Sequence, residues 1–137
     1  MYQKITIIGN LGGDPEMRYT PSGQAVTNFS VASNRRYSTS DGQKVDETTW
    51  FRISAWRRLA EVCNQYLKKG RLVLIEGRLN PDKQTGGPRI WTGNDGQPRA
   101  SFEITARTVK FLSSQAGGDD YQSNQPPQQE AEDDIPF

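Results

Sequence analysis

The 137-residue sequence has no histidine and only one cysteine, Cys63. The usual zinc sites and His-based catalytic arrangements are therefore excluded, and no disulfide can form within the chain. No apolar run approaches the ~18 residues of a membrane span, and residues 1–8 lack the long apolar core of a secretion signal. A reducing cytoplasmic location, no membrane, no metal and no cofactor are the expectations. Lys and Arg are also missing after Lys110. All seventeen stand against ten Asp and Glu in residues 1–112, a net +7, while the other six acidic residues give residues 113–137 a net −6. A basic body with an acidic tail fits a nucleic-acid-facing domain that carries an interaction segment, or equally a solvated surface with a spacer.

The length allows one domain of ordinary size. Residues 4–10 read as a strand through Ile5, Thr6, Ile7 and Ile8, broken by Gly9 and then Gly12-Gly13-Asp14-Pro15. After a turn at Thr20-Pro21-Ser22-Gly23, Thr27, Phe29, Val31 and Ser33 alternate with Val26, Asn28, Ser30 and Ala32 as a second strand, and residues 48–56 form a third. The period then changes. Leu59, Val62, Cys63, Tyr66 and Leu67 fall at helical spacing, so a helix is predicted over 57–69, with Lys68 and Lys69 at its C-terminal end and Gly70 as its left-handed cap. Strands follow at 71–79 and 100–112, separated by a long Gly/Pro-rich loop, residues 80–99. Residues 113–137 are too poor in apolar side chains to offset their ordering entropy and read as disordered. The expected fold is all-β: a five-stranded Greek-key barrel of the OB type, with one helix between strands 3 and 4 and a disordered C-terminal tail.

Holding an unpaired strand takes cations for phosphates and flat rings for bases. Tyr37, Trp50, Trp56 and Trp91 supply rings, interleaved with Arg35, Arg36, Arg52, Arg57, Arg58, Arg89 and Arg99. Three Trp exceed what the core of so polar a chain requires, its mean hydropathy being −0.81. Trp50 and Trp56 could instead be core residues of a small barrel. Eleven Arg against six Lys favour phosphate binding and stacking, because the planar guanidinium does both. Arg35-Arg36-Tyr37 would offer two cations and a ring together at a strand end. An enzyme finds little support: Glu76-Gly77-Arg78 lacks the lysine and partner carboxylate of metal-dependent nucleases. Gly9-Asn10-Leu11-Gly12-Gly13 lacks the Gly-Lys-Ser/Thr of a phosphate loop, so its glycines are expected to turn the chain off the barrel.

Several segments resemble the bacterial single-stranded DNA-binding protein family. They are Ile8-Gly9-Asn10-Leu11-Gly12 with Asp14-Pro15-Glu16 and Arg18-Tyr19; Leu59-Ala60-Glu61-Val62 with Tyr66-Leu67-Lys68-Lys69-Gly70; Ile75-Glu76-Gly77-Arg78-Leu79; and Asp133-Asp134-Ile135-Pro136-Phe137. The resemblance implies base stacking by Tyr37, Trp50, Trp56 and Trp91, a homotetramer, and roles in DNA replication, recombination and repair. It also implies docking of replication and repair proteins on Asp133, Asp134, Ile135, Pro136 and Phe137. The expected division is a single-strand-binding domain at 1–112, a linker at 113–132 and a docking tip at 133–137. Two features depart from the family pattern: the stretch 80–90 is long, and Phe51 stands where a polar residue or His is common, near the expected subunit boundary. Primosomal replication protein N is the nearest alternative, though its members usually lack the acidic tip. A barrel that binds only proteins would not need the Arg and Trp surplus.

Overall fold

Alternation with a period of two sorts β1 (Ile5–Leu11) into a wet and a dry face: Ile7, Gly9 and Leu11 are buried while Thr6, Ile8 and Asn10 are exposed. The same rule acts along β3 (Ala25–Ser38), where Thr27, Phe29 and Val31 point inward, and along β4 (Lys44–Trp56), where Ile53 and Ala55 do. The structure, a computed structural model, describes residues 1–112. It adds β2 (Glu16–Tyr19), α1 (Arg58–Tyr66), β5 (Leu72–Leu79), β6 (Arg89–Thr92) and β7 (Pro98–Phe111). The expected linker 113–132 and tip 133–137 lie outside the described residues.

The strands pair in the order β1-β5-β7-β4-β3, and β1 returns to β3 through Asn10–Ala32 and Leu11–Val31, which closes a five-stranded barrel. Every pairing is antiparallel except β4 with β7, which run parallel from Phe51–Phe102 to Ser54–Thr105. With the helix between the third and fourth barrel strands, this is the expected OB fold. Phe29, Val31, Ile53, Val73, Ile75 and Ile104 fill the barrel, and Cys63 and Leu67 close one end. Burying each large apolar side chain stabilises by roughly 1.5–3 kcal/mol. The one buried polar side chain among the described residues, Thr27, donates its hydroxyl to the Ala60 carbonyl at 2.7 Å, which fastens α1 to β3.

Several sequence expectations are corrected. The helix stops at Tyr66, because Leu67 turns extended to bury its side chain in the core, 2% exposed. Lys68, Lys69 and Gly70 form a separate turn instead of a helix end. Gly70 sits at φ 87, Arg71 N–H bonds Lys68 carbonyl at 3.1 Å, and Lys69 N–H bonds the Asp14 carboxylate at 2.9 Å. The third strand begins at Lys44 rather than residue 48, since β3 and β4 remain paired out to Ser38–Lys44 as an exposed ribbon. The 80–99 segment is not one loop. Asp82 folds its first part by accepting the N–H groups of Gln84 (2.9 Å) and Thr85 (3.0 Å), which holds its carboxyl below the usual carboxylate range. Its second part is the β6–β7 hairpin. Phe51 is partly buried against the barrel core and lies 5.9 Å from the Phe102 ring, centroid to centroid.

Candidate functional site

Residues that alternate away from the core define the outer face. On β4 these are Trp50, Arg52, Ser54 and Trp56, opposite Ala32, Ser30, Asn28 and the buried Val26 of β3. Beyond them β2 contributes Glu16 and Arg18, and on the other side Glu103 of β7 lies beside Arg52. Trp50 is 54% exposed and Trp56 40%, so neither is a core residue. Two hollows meet at Trp50. One, of about 410 Å³, is walled by Gly12, Gly13, Asp14 and Glu16; the other, of about 480 Å³, by Trp91, Arg99 and Ser101; Ser30, Trp50 and Arg52 line both. Together they form a trough from the β1–β2 loop across the sheet to the β6–β7 hairpin.

Gly12 matters to this trough in a way the sequence hid. It has no positive φ; instead, a Cβ there would overlap the Trp50 ring, so the missing side chain is the seat of the indole. Trp91 projects from β6, 39% exposed, with the Arg89 guanidinium 5.9 Å from its ring centroid. Arg89 also reaches Glu103 at 3.5 Å, and Arg99 pairs with Asp95 at 3.1 Å. Glu103, not foreseen as part of the site, also accepts the Ser101 hydroxyl at 3.2 Å. The alternation of β7 was the signal that could have placed it there.

Arg35, Arg36 and Tyr37 are not presented together. Successive residues of a strand face opposite ways, so Arg36 falls in the Trp50 row and pairs with Asp46 at 3.0 Å, while Arg35 and Tyr37 occupy the other face of the ribbon. There Glu47 takes the Tyr37 hydroxyl at 2.9 Å and the Arg35 guanidinium at 3.6 Å, and Arg35 lies 4.7 Å from the Tyr37 ring centroid. The hydrogen bond to Glu47, reinforced by its charge, holds the Tyr37 hydroxyl above its ordinary pKa.

Arg57 and Arg58 follow Trp56 at the start of α1 and, like Arg52, make no ion pair among the described residues. Cations at the positive end of a helix cost roughly 0.3–1 kcal/mol each. Arg57 adds a φ of 57 with no side-chain cap, strain on the order of 1–3 kcal/mol. Stability alone would not select this arrangement. No group of three His, Cys, Asp or Glu among the described residues is placed to hold a metal ion. What the site offers is exposed rings along a trough with cations on its flanks. The Arg35–Glu47, Arg36–Asp46 and Arg99–Asp95 pairs are exposed and weak, about 0–1 kcal/mol, so an incoming anion can displace their carboxylates, whereas Glu103 under Arg89 is largely buried.

Residues 2–112 match the single-strand binding protein family. A single-stranded DNA-binding protein of Neisseria meningitidis is 45% identical over 109 residues, 80% of this chain and 59% of that protein. One from Wolinella succinogenes is 41% identical over 129 residues, 90% of this chain and 75% of its own length. The match with the Neisseria protein thus spans less than two thirds of that relative. Among solved structures, the small single-stranded DNA-binding protein of Streptomyces coelicolor superposes with a TM-score of 0.66 at 27% identity, covering 82% of this chain and 96% of that one.

Proposed function

The chain belongs to the single-strand binding protein family, and from that premise we propose that it binds single-stranded DNA without reading its sequence, as a non-enzymatic protector of exposed strands. The trough past Trp50 and Trp91 is the observation that carries the reading. Its rings are exposed where bases could stack, and every base has a π-face, so such a surface tolerates any sequence. Arg52, Arg57, Arg58, Arg89 and Arg99 serve the phosphates, while Arg35 and Tyr37 serve the strand once it rounds the β3–β4 ribbon. Titrating oligo-dT while following Trp fluorescence tests this. Quenching is expected, along with failure of equimolar duplex to compete, because duplex stacking hides the base faces. Trp50→Ala and Trp56→Ala should each weaken binding by about 1–3 kcal/mol, the range known for base stacks in single-strand binders. Trp91→Ala should act likewise. An unchanged affinity in all three would overturn the assignment.

The finer reading places the protein in DNA replication, recombination and repair in the cytoplasm, at the nucleoid. Residues 133–137 dock partner proteins, tethered by 113–132. The body assembles as a homotetramer. Supporting that assembly, Ile8 is 51% exposed opposite Leu74 on the outer β1–β5 face, and β1 pairs with β3 only at Asn10 and Leu11. Light scattering at micromolar concentration should report four subunits; a monomer would overturn it.

A further inference from the structure

A second hollow opens where the trough ends. It holds about 200 Å³ and is roofed by Pro81 and Pro88 of the loop after β5, with Leu79, Phe102, Ser101 and Glu103 below. The walls are mainly apolar, and Phe102 is 54% exposed although it points from β7 toward the barrel mouth. The volume is below the range of small-molecule pockets and accommodates little more than one ring. Its roof is preformed, because Asp82 binds the N–H groups of Gln84 and Thr85, and Asp82 N–H bonds the Gly87 carbonyl at 2.9 Å. Ser101 lines both this pocket and the trough, and the Phe51 ring on the trough side meets Phe102 on the pocket side, tilted by 41°. Arg89, paired with Glu103 at the rim, also stands beside Trp91.

We propose that this pocket receives an unpaired nucleobase of the same strand that occupies the trough, stacked on Phe102, with Arg89 taking the phosphate between it and Trp91. The proposal rests on the single-strand-binding reading and extends its path to the far side of the β6–β7 hairpin. An exposed ring on an apolar floor continuous with a cation-flanked trough fits a base better than it fits a polar metabolite. Phe102→Leu, which keeps an apolar side chain but removes the ring, should lower oligo-dT affinity roughly 5- to 100-fold with native mass and thermal unfolding unchanged. Independently, wild-type protein irradiated with an oligo-dT in which 5-iodouracil replaces thymine should carry an adduct on Phe102, located by mass spectrometry. That measurement decides the matter should the variant fold poorly. If Phe102→Leu binds fully and no Phe102 adduct forms while Trp50→Ala is impaired, the pocket assignment fails and the trough stands. If Trp50→Ala also binds fully, the single-strand reading itself has failed. A lower native mass for Phe102→Leu would overturn the proposal differently, by showing that a second copy of the chain covers the pocket.

Discussion

Trp50 keeps its place because Gly12 has no side chain, so the two positions form one functional unit. Gly12→Ala is expected to push the ring aside, since the indole yields more easily than two strands. Oligo-dT affinity should fall and the Trp emission should shift, with the unfolding midpoint nearly unchanged; an unaltered affinity would mean that ring position is immaterial. Cys63 is the opposite kind of residue. It is fully buried in the barrel end, and burial pushes its thiol up from 9.0 to about 12. The folded state keeps a proton that the unfolded chain releases near pH 9. Its contribution to stability is therefore complete below that pH and is lost as the pH rises toward 12. Cys63→Ala should flatten the decline of stability over this window in denaturant titrations, and the wild-type thiol should react with disulfide reagents at neutral pH only on unfolding.

Among the elements, the β3–β4 ribbon shows what pattern could and could not reveal. The inward row Phe29, Val31 and Ile53 was legible because apolar residues alternate with polar ones on a half-buried strand. Beyond Ser33 both faces are wet, so no alternation remained to mark the strand, and its pairing to Ser38 was missed. β2 and β6 were missed for a related reason: each has four residues and neither buries a side chain. The helix end was misplaced because Leu67 fits the helical period equally well, although in the structure it serves the core from an extended backbone. Residue identity located Trp50, Trp56 and Trp91, whereas their seat and the division of Arg35 from Arg36 depended on register. Glu47 has its effect through the ribbon. Glu47→Gln should release Arg35, raise oligo-dT affinity by no more than about fivefold, and steepen its salt dependence, as exposed pairs are worth little. Ultraviolet titration should also show the Tyr37 hydroxyl returning toward its ordinary value; no change in either measurement would deny Glu47 this role.

At the scale of the whole molecule, charge separation sets the behaviour: a +7 body and a −6 tail in one chain. Binding to oligo-dT should weaken linearly in log salt, since each neutralised phosphate releases counterions. On the proposed reading, in which the acidic segment docks replication and repair proteins and competes for the same cations, deleting 133–137 should abolish that docking yet leave oligo-dT affinity equal or slightly higher. Weaker DNA binding after the deletion would contradict this competition. The parallel seam of β4 with β7 has a consequence during synthesis. Phe51 to Ser54 pair with Phe102 to Thr105, partners made long afterward. Until β7 has left the ribosome, Ile53 has no neighbour on that side and stays wet, though in the finished barrel it is fully buried. Closure of the barrel therefore waits for β7, and a nascent chain paused before it would leave β4 without its neighbour on that side.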